Sequence, residues 1–313
     1  MKKIIFITAI VAAGIGLFFG WLLFSNDENA SNSGLSVRQG GYDFINPLLE
    51  CEIDGGLESK NLTEFKSKVQ EKTESLIQKN PINHISVYYR DLNNGPWFGI
   101  NEKEQFAPAS LLKVPTMIAY LKAAEQDPSI LTTPLNELTM AINKGDINIT
   151  ETATDLINKM IVDSDNEAFE NLVFAIGSDA ITQVHNDLGI EVADKNTASN
   201  FISVKTYASL FRVLYNASYL NREMSEKALG ILSQAAFNDG LAAGIPADIN
   251  VANKYGITGS YESGDRQLHD CGIIYYPNNP YLLCIMTRGN NSQELAAVIA
   301  EISSLVYQQT DNK

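Results

Sequence analysis

The sequence predicts an α+β fold: an antiparallel sheet drawn from both ends of the folded body, flanked by terminal helices, with an all-helical region inserted between. Three observations lead there. Ile85, Val87 and Tyr89 alternate with polar partners, and Asn93-Asn94-Gly95 then turns the chain toward a returning strand at 97–100. A second pair of strand-like runs, 272–276 and 281–287, flanks Pro277-Asn278-Asn279-Pro280 near the other end. Between these hairpins the apolar spacing is helical.

Each element has its own signal. Leu62, Phe65, Val69, Leu76 and Ile77 among charged residues predict an amphipathic helix over 62–78. Ala107-Pro108-Ala109 ends an extended segment, after which Leu111, Leu112, Val114, Met117 and Ile118 predict a buried helix. Proline is tolerated cheaply only in the first helical turn, so Pro115 sets the helix start within a few residues of Ser110. Further helices are expected at 135–142, at 151–162 with Thr150 as N-cap, at 166–176 and at 181–188. Turn formers make 189–200 a surface loop, and helices return at 204–215 and 225–236. A strand at 251–255, the second hairpin and a closing amphipathic helix over 292–309 complete the body.

The N-terminus has a different character. Lys2 and Lys3 precede an uncharged run from Ile4 to Phe24, long enough to cross a hydrocarbon core, and Asp27 and Glu28 follow it. No small-x-small cleavage signature stands at a suitable distance. The reading is an uncleaved signal anchor over 1–24, a single-pass cell-membrane protein with its body outside the cytoplasm; a cleaved signal is the alternative. Residues 25–45, rich in Asn, Ser and Gly, read as a flexible spacer with no core of its own. The chain therefore divides into anchor (1–24), spacer (25–61) and a folded domain (62–308).

A formal charge of -14 argues against a nucleic-acid-binding surface, which needs clustered lysine and arginine. Cys51, Cys271 and Cys284 show no spacing with His84, His185 or His269 that suggests zinc, the histidines read as structural, and neither a metal nor another cofactor is expected. Cys271 and Cys284 fall on the two arms of the second hairpin. A disulfide between them is geometrically open, but the reading preferred here is two buried free thiols.

Chemistry enters at Ser110. A serine at the mouth of a buried helix faces free N–H groups and the positive end of the dipole, and Lys113 stands one turn on. A lysine in so apolar a helix is costly without a partner or a task. The pair reads as a nucleophile and the group that takes its proton. About one S-x-x-K arises by chance in a chain of this length, so the reading needs company. Ser164-Asp165-Asn166, between two predicted helices, is placed to point polar groups into a cleft, although alone it reads equally well as a helix cap. Lys254-Tyr255-Gly256 ends a predicted strand, where glycine permits close approach.

These three clusters, in this order and in these elements, resemble the penicillin-recognising serine hydrolases, and within them the class A β-lactamase catalytic domain, over 62–307. The 106–115 wording, Gly240 to Ala247 ahead of the lysine strand, and His269-Asp270-Cys271-Gly272-Ile273 carry the likeness further. The resemblance implies Ser110 as the acylated nucleophile and Lys113 as its proton acceptor or relay. It implies Ser164 as the relay to the leaving nitrogen, Asn166 as the holder of the substrate amide and Lys113, and Lys254 as the partner of a substrate carboxylate. The strand residues Gly256 and Ile257 would line the substrate, with the N–H groups of Ser110 and Ile257 forming the oxyanion hole. Lys254 near Lys113 is expected to lower the lysine pKa toward that of a usable base, and two converging lysines to attract an anion despite the acidic total.

Two departures stand out. Tyr255 occupies the position where the family usually has threonine, and Ile257 and Thr258 follow where it has a small hydroxyl residue. No E-x-x-L-N pattern supplies a deacylating glutamate; Glu191 and Asp194 are the only acids between Gly189 and Val204. The expectation is a β-lactam-hydrolysing serine enzyme with a monomeric catalytic domain and a small-molecule or cell-wall-peptide substrate. The alternatives are a penicillin-binding-protein-like D-Ala-D-Ala peptidase and a non-catalytic wall-binding or sensor module.

Overall fold

The computed structural model describes residues 37–50, 62–93, 95–141, 149–191, 199–259 and 266–311. The chain enters through two short antiparallel strands, β1 (Val37–Arg38) and β2 (Leu48–Glu50), followed by helix α1 (Thr63–Lys79). The first hairpin, β3 (Ile82–Asp91) and β4 (Trp97–Ile100), and the short strand β5 (Gln105–Phe106) lead to a 3₁₀ turn at Ala109–Leu112. That turn opens helix α2 (Lys113–Ala124). The inserted region contains α3 (Leu135–Ala141), α4 (Ala153–Val162), α5 (Asn166–Ile176), α6 (Ser178–Asp187), strand β6 (Ile202–Ser203), α7 (Val204–Tyr215) and α8 (Arg222–Leu232). Strands β7 (Val251–Thr258), β8 (Arg266–Ile274) and β9 (Tyr281–Gly289) and helix α9 (Ser292–Asp311) close the chain.

The central sheet runs β4-β3-β9-β8-β7, antiparallel throughout, so sequence-distant ends meet at β3 and β9 and β7 is an open edge. Both faces are covered, which is why β9 reads as a nearly continuous apolar run. On one face Val87, Tyr89, Leu283 and Ile285 pack with Phe65 and Val69 of α1 and Ile299 and Ile302 of α9. On the other, Tyr88, Ala252, Cys271, Cys284 and Met286 pack with Met117 and Ile118 of α2 and Phe211 and Leu214 of α7. Helix α2 lies in that second core with nearly every side chain buried. The α+β architecture with a helical insertion is as expected, and most boundaries agree.

Four expectations need adjustment. The cap of α4 is Thr152, not Thr150: Thr152 and Asp155 form a reciprocal capping box that starts the helix two residues later. Helix α8 begins early, because the Asn221 side chain accepts from Met224 N at 2.9 Å. Cys271 and Cys284 are not free thiols but a disulfide; antiparallel register places them directly opposite each other on β8 and β9. Residues 38–46, assigned to a flexible spacer, are docked. The Glu226 carboxylate accepts the backbone N–H groups of Asp43, Phe44 and Ile45, Arg38 donates to Asn46 O and Asn216 Oδ1, and Ile45 enters the core. Polar composition had masked the three apolar anchors Tyr42, Phe44 and Ile45.

The expected anchor over 1–24 and the loop holding Asp194 lie outside the described residues. Among the described residues no helix is long and apolar enough to cross a membrane.

Candidate active site

Ser110 sits in the second position of the 3₁₀ turn, where amide groups lack helical acceptors. The turn is held from several sides. Alternate residues of β8 grip Ala107 by both polar groups: Ala107 N donates to Gln267 Oε1 at 3.0 Å, and His269 Nε2 pairs with Ala107 O at 3.0 Å. Gln267 reaches on to Asn200 Oδ1 at 2.9 Å, tying the turn to the segment before β6. Tyr207 of α7 donates to Leu111 O at 3.1 Å. Gly256 of β7 lies against the turn so closely that a Cβ there would stand 2.9 Å from Pro108 O and 3.0 Å from Leu111 Cγ. Ala109 and Ser164 both carry positive φ, +48° and +58°, a conformation that costs energy for any non-glycine residue. Tertiary contacts hold the strain at two of the three motifs.

The polar side chains converge on Ser164. Lys113 donates to Ser164 O at 2.5 Å, to Ser164 Oγ at 3.2 Å and to Asn166 Oδ1 at 2.7 Å. Lys254 donates to the same Ser164 Oγ at 2.9 Å and to Tyr255 O at 3.2 Å. Asp165, between Ser164 and Asn166, accepts from Ala168 N at 2.7 Å and so caps α5; the motif is both a cap and a polar cluster. The clusters bearing Lys113, Ser164, Asn166 and Lys254 therefore meet, and Ser110 is brought beside them by chain continuity and by β7. Among the described residues no side chain hydrogen-bonds to the Ser110 hydroxyl; it is partly exposed at the open edge of the sheet.

Burial sets the electrostatics. Lys113 is 2% exposed and Lys254 0%. Burial lowers the Lys113 pKa, opposed by Asp165, while Lys254 is lowered to about 7 by burial first and by repulsion from Lys113 second. The repulsion that the sequence reading expected between the two lysines is mutual, and both are lowered. Asp270, also fully buried, accepts from Asn253 Nδ2 at 2.8 Å and Leu241 N at 2.9 Å, and burial raises its pKa to about 6. Gly240 makes room for it, since a Cβ would come within 2.4 Å of Asp270 Oδ2. The 240–247 and 269–273 segments thus brace the strand that carries Lys254.

Sequence reasoning did not single out Gln267 or Tyr207, because a lone glutamine on a strand and a tyrosine on a helix carry no local signal of the backbone groups they hold. Nor did it single out Phe237, whose ring stacks on Tyr255 at 4.2 Å. Among the described residues no cluster of His, Cys, Asp and Glu could hold a metal ion. A buried lysine of lowered proton affinity beside a helix-mouth serine can, as the neutral amine, take a proton and later return it.

A family model described as "Beta-lactamase enzyme family" matches residues 68–310. No curated protein sequence matches the chain. Among solved structures, PBP-A is similar over 79% of this chain and 97% of its own, with 21% identity and a TM-score of 0.65. A representative class A beta-lactamase from Bacteroides cellulosilyticus DSM 14838 is similar over 79% of this chain and 99% of its own, with 19% identity and a TM-score of 0.66. A PBP-A mutant solved as an acyl-enzyme complex with penicillin-G is similar over 79% of this chain and 97% of its own, with 20% identity and a TM-score of 0.65. At these identities the likeness is one of fold.

Proposed function

The chain belongs to the beta-lactamase enzyme family, and on that premise we propose that it is a serine hydrolase that opens a β-lactam amide through an acyl-enzyme on Ser110. The observation that carries the reading is the Ser164 hydroxyl held between two buried lysines. Ser110 Oγ attacks the carbonyl carbon while Lys113, its pKa lowered by burial, takes the hydroxyl proton. The oxyanion forms toward the backbone N–H groups of Ser110 and Ile257. The carbon–nitrogen bond breaks, and the proton passes from Lys113 through Ser164 to the leaving nitrogen. Asn166 holds Lys113 and meets the substrate amide. Water then hydrolyses the ester, releasing a carboxylate and restoring Ser110.

A second reading is favoured by one observation. Among the described residues no carboxylate hydrogen-bonds to Lys113, Ser164 or Asn166, and the neighbouring Asp165 is engaged in capping α5. Water activation would then be slow, as suits a D-Ala-D-Ala peptidase of the penicillin-binding-protein type that passes its acyl group on. Steady hydrolysis of a chromogenic cephalosporin by the full-length chain, lost in Ser110→Ala, selects the hydrolase. Negligible cephalosporin turnover with D-alanine release from a D-Ala-D-Ala peptide selects the peptidase. The charge pattern around Ile4–Phe24 supports a membrane-anchored enzyme facing the cell exterior.

A further inference from the structure

A second concave site, with a volume of about 290 Å³, lies at the other end of β8 from the Ser110 turn. One wall is the docked strap between β1 and β2, which precedes the matched family region 68–310 and is therefore an addition to the family fold. The strap is held on several sides. Glu226 accepts from the N–H groups of Asp43, Phe44 and Ile45, Asn46 N donates to Tyr215 O at 2.9 Å, and the Tyr275 hydroxyl donates to Phe44 O at 3.0 Å. The other wall is the β8–β9 turn. Pro277 and Pro280 stiffen its backbone, and Asn93 Nδ2 donates to Asn278 O at 2.6 Å from the neighbouring hairpin. With both walls already ordered, little contact energy is lost to ordering them on binding.

Aromatic side chains line the space between. Tyr42, Phe44 and Tyr275 are half-buried and Tyr215 is buried, with Phe44 and Tyr275 meeting edge to face at 5.5 Å between centroids. These rings pack on the core that also holds Leu111, the neighbour of Ser110, so the cavity and the Ser110 turn share one side of the sheet. Tyr275 follows β8, whose His269 is the register partner of Gly256, so roughly 20 Å of strand separates the two sites.

The charges around the cavity disfavour ions of either sign. Arg38 donates to Asn46 O and holds its guanidinium 5.7 Å from the Tyr215 ring centroid, so a cation arriving there meets a cation already in place. The carboxylates of Asp43 on the wall and Glu226 behind it oppose an anion. Ring surface remains, with polar groups at its margin: Asp43 and Asn278 are both exposed. We infer that this cavity is a binding site for a neutral saccharide, its C–H face against the aromatic rings and its hydroxyls toward Asp43 and Asn278. A pyranose combines an apolar face with a rim of donors and acceptors and carries no charge, and a cavity of this size takes a mono- or disaccharide. The inference stands apart from the acyl-enzyme reading of Ser110. A polymer that carries both sugars and peptides can be held here while a peptide branch reaches Ser110.

Ligand-observed NMR titration of the full-length chain tests this, with N,N′-diacetylchitobiose as the neutral sugar, choline as the cation and glucuronate as the anion. The disaccharide is expected to bind saturably and the two ions not to bind. Tyr42→Ala removes a ring and Glu226→Ala releases the wall, and each is expected to weaken disaccharide binding about tenfold or more. Ser110→Ala is expected to leave it unchanged. Melting curves show which variants are folded, and Tyr42→Ala decides the matter if Glu226→Ala does not fold. No saturable binding of the disaccharide overturns the inference, whatever happens at Ser110. Binding of choline or glucuronate in its place overturns the ligand class. Binding that a folded Tyr42→Ala chain retains in full, or that Ser110→Ala abolishes, overturns the location.

Discussion

Lys113 and Lys254, far apart in the chain, donate to one and the same atom, Ser164 Oγ, at 3.2 and 2.9 Å. Two ammonium groups sharing one acceptor in a buried site repel each other, and the fold tolerates this only by lowering their proton affinity. Stability and activity should therefore pull apart at Lys254. Burial and Lys113 together have lowered its pKa to about 7 from the ordinary lysine value. For a group whose folded pKa is depressed, the stability contribution is complete above the unfolded value and lost as pH falls toward the folded one. Lys254→Met is expected to stabilise the fold by about 1–4 kcal/mol at pH 7 and by less at pH 10, as read by thermal melting. The same variant should acylate about a hundredfold more slowly.

Gly256 lets β7 touch the Ser110 turn, and nothing larger fits without moving backbone: a Cβ would meet Pro108 O at 2.9 Å and Leu111 N at 3.3 Å. Gly256→Ala should displace the Ser110 turn by a few tenths of an ångström and slow acylation about ten- to a hundredfold. A change in acylation rate larger than the change in substrate affinity, measured in one rate-versus-concentration series, identifies misplacement of the nucleophile.

The docked N-terminal strap depends on one carboxylate. Glu226 accepts from Asp43 N at 2.8 Å, from Phe44 N at 3.1 Å and from Ile45 N at 2.9 Å. Glu226→Ala leaves those N–H groups without their acceptor and is expected to cost about 1–3 kcal/mol. Limited proteolysis should then cut within 38–46, where the wild-type chain is protected.

The Cys271–Cys284 disulfide closes a short loop, with a sequence separation of 13. On the loop-entropy account its removal by paired alanine substitution should cost about 3 kcal/mol. Cys271 is also the register partner of Lys254, so the loosened β8 should slow acylation as well as lower the melting temperature.

Much of this was legible in the sequence wherever a local pattern carries the physics. The alternation of Ile85, Val87 and Tyr89 with their neighbours gave β3, although both of its faces are buried, and the all-round apolar run after Ser110 gave α2. Where the pattern failed, the determining contact was remote. The strap reads as spacer because its anchors are a carboxylate and a core supplied from about two hundred residues away. The cysteines read as free thiols because only strand register sets them face to face. Ser164, Asn166 and Lys254 could be named from their motifs, but the sharing of Ser164 Oγ by two cations could not, nor could the contact of Lys254 with the Tyr255 ring.

The central claim is that Ser110 is the nucleophile, and peptide-level mass analysis after exposure of the full-length chain to benzylpenicillin tests it most directly. The account predicts a mass gain of one opened penicillin on the peptide containing Ser110, absent in Ser110→Ala. No gain, or a gain that persists in Ser110→Ala, would contradict it.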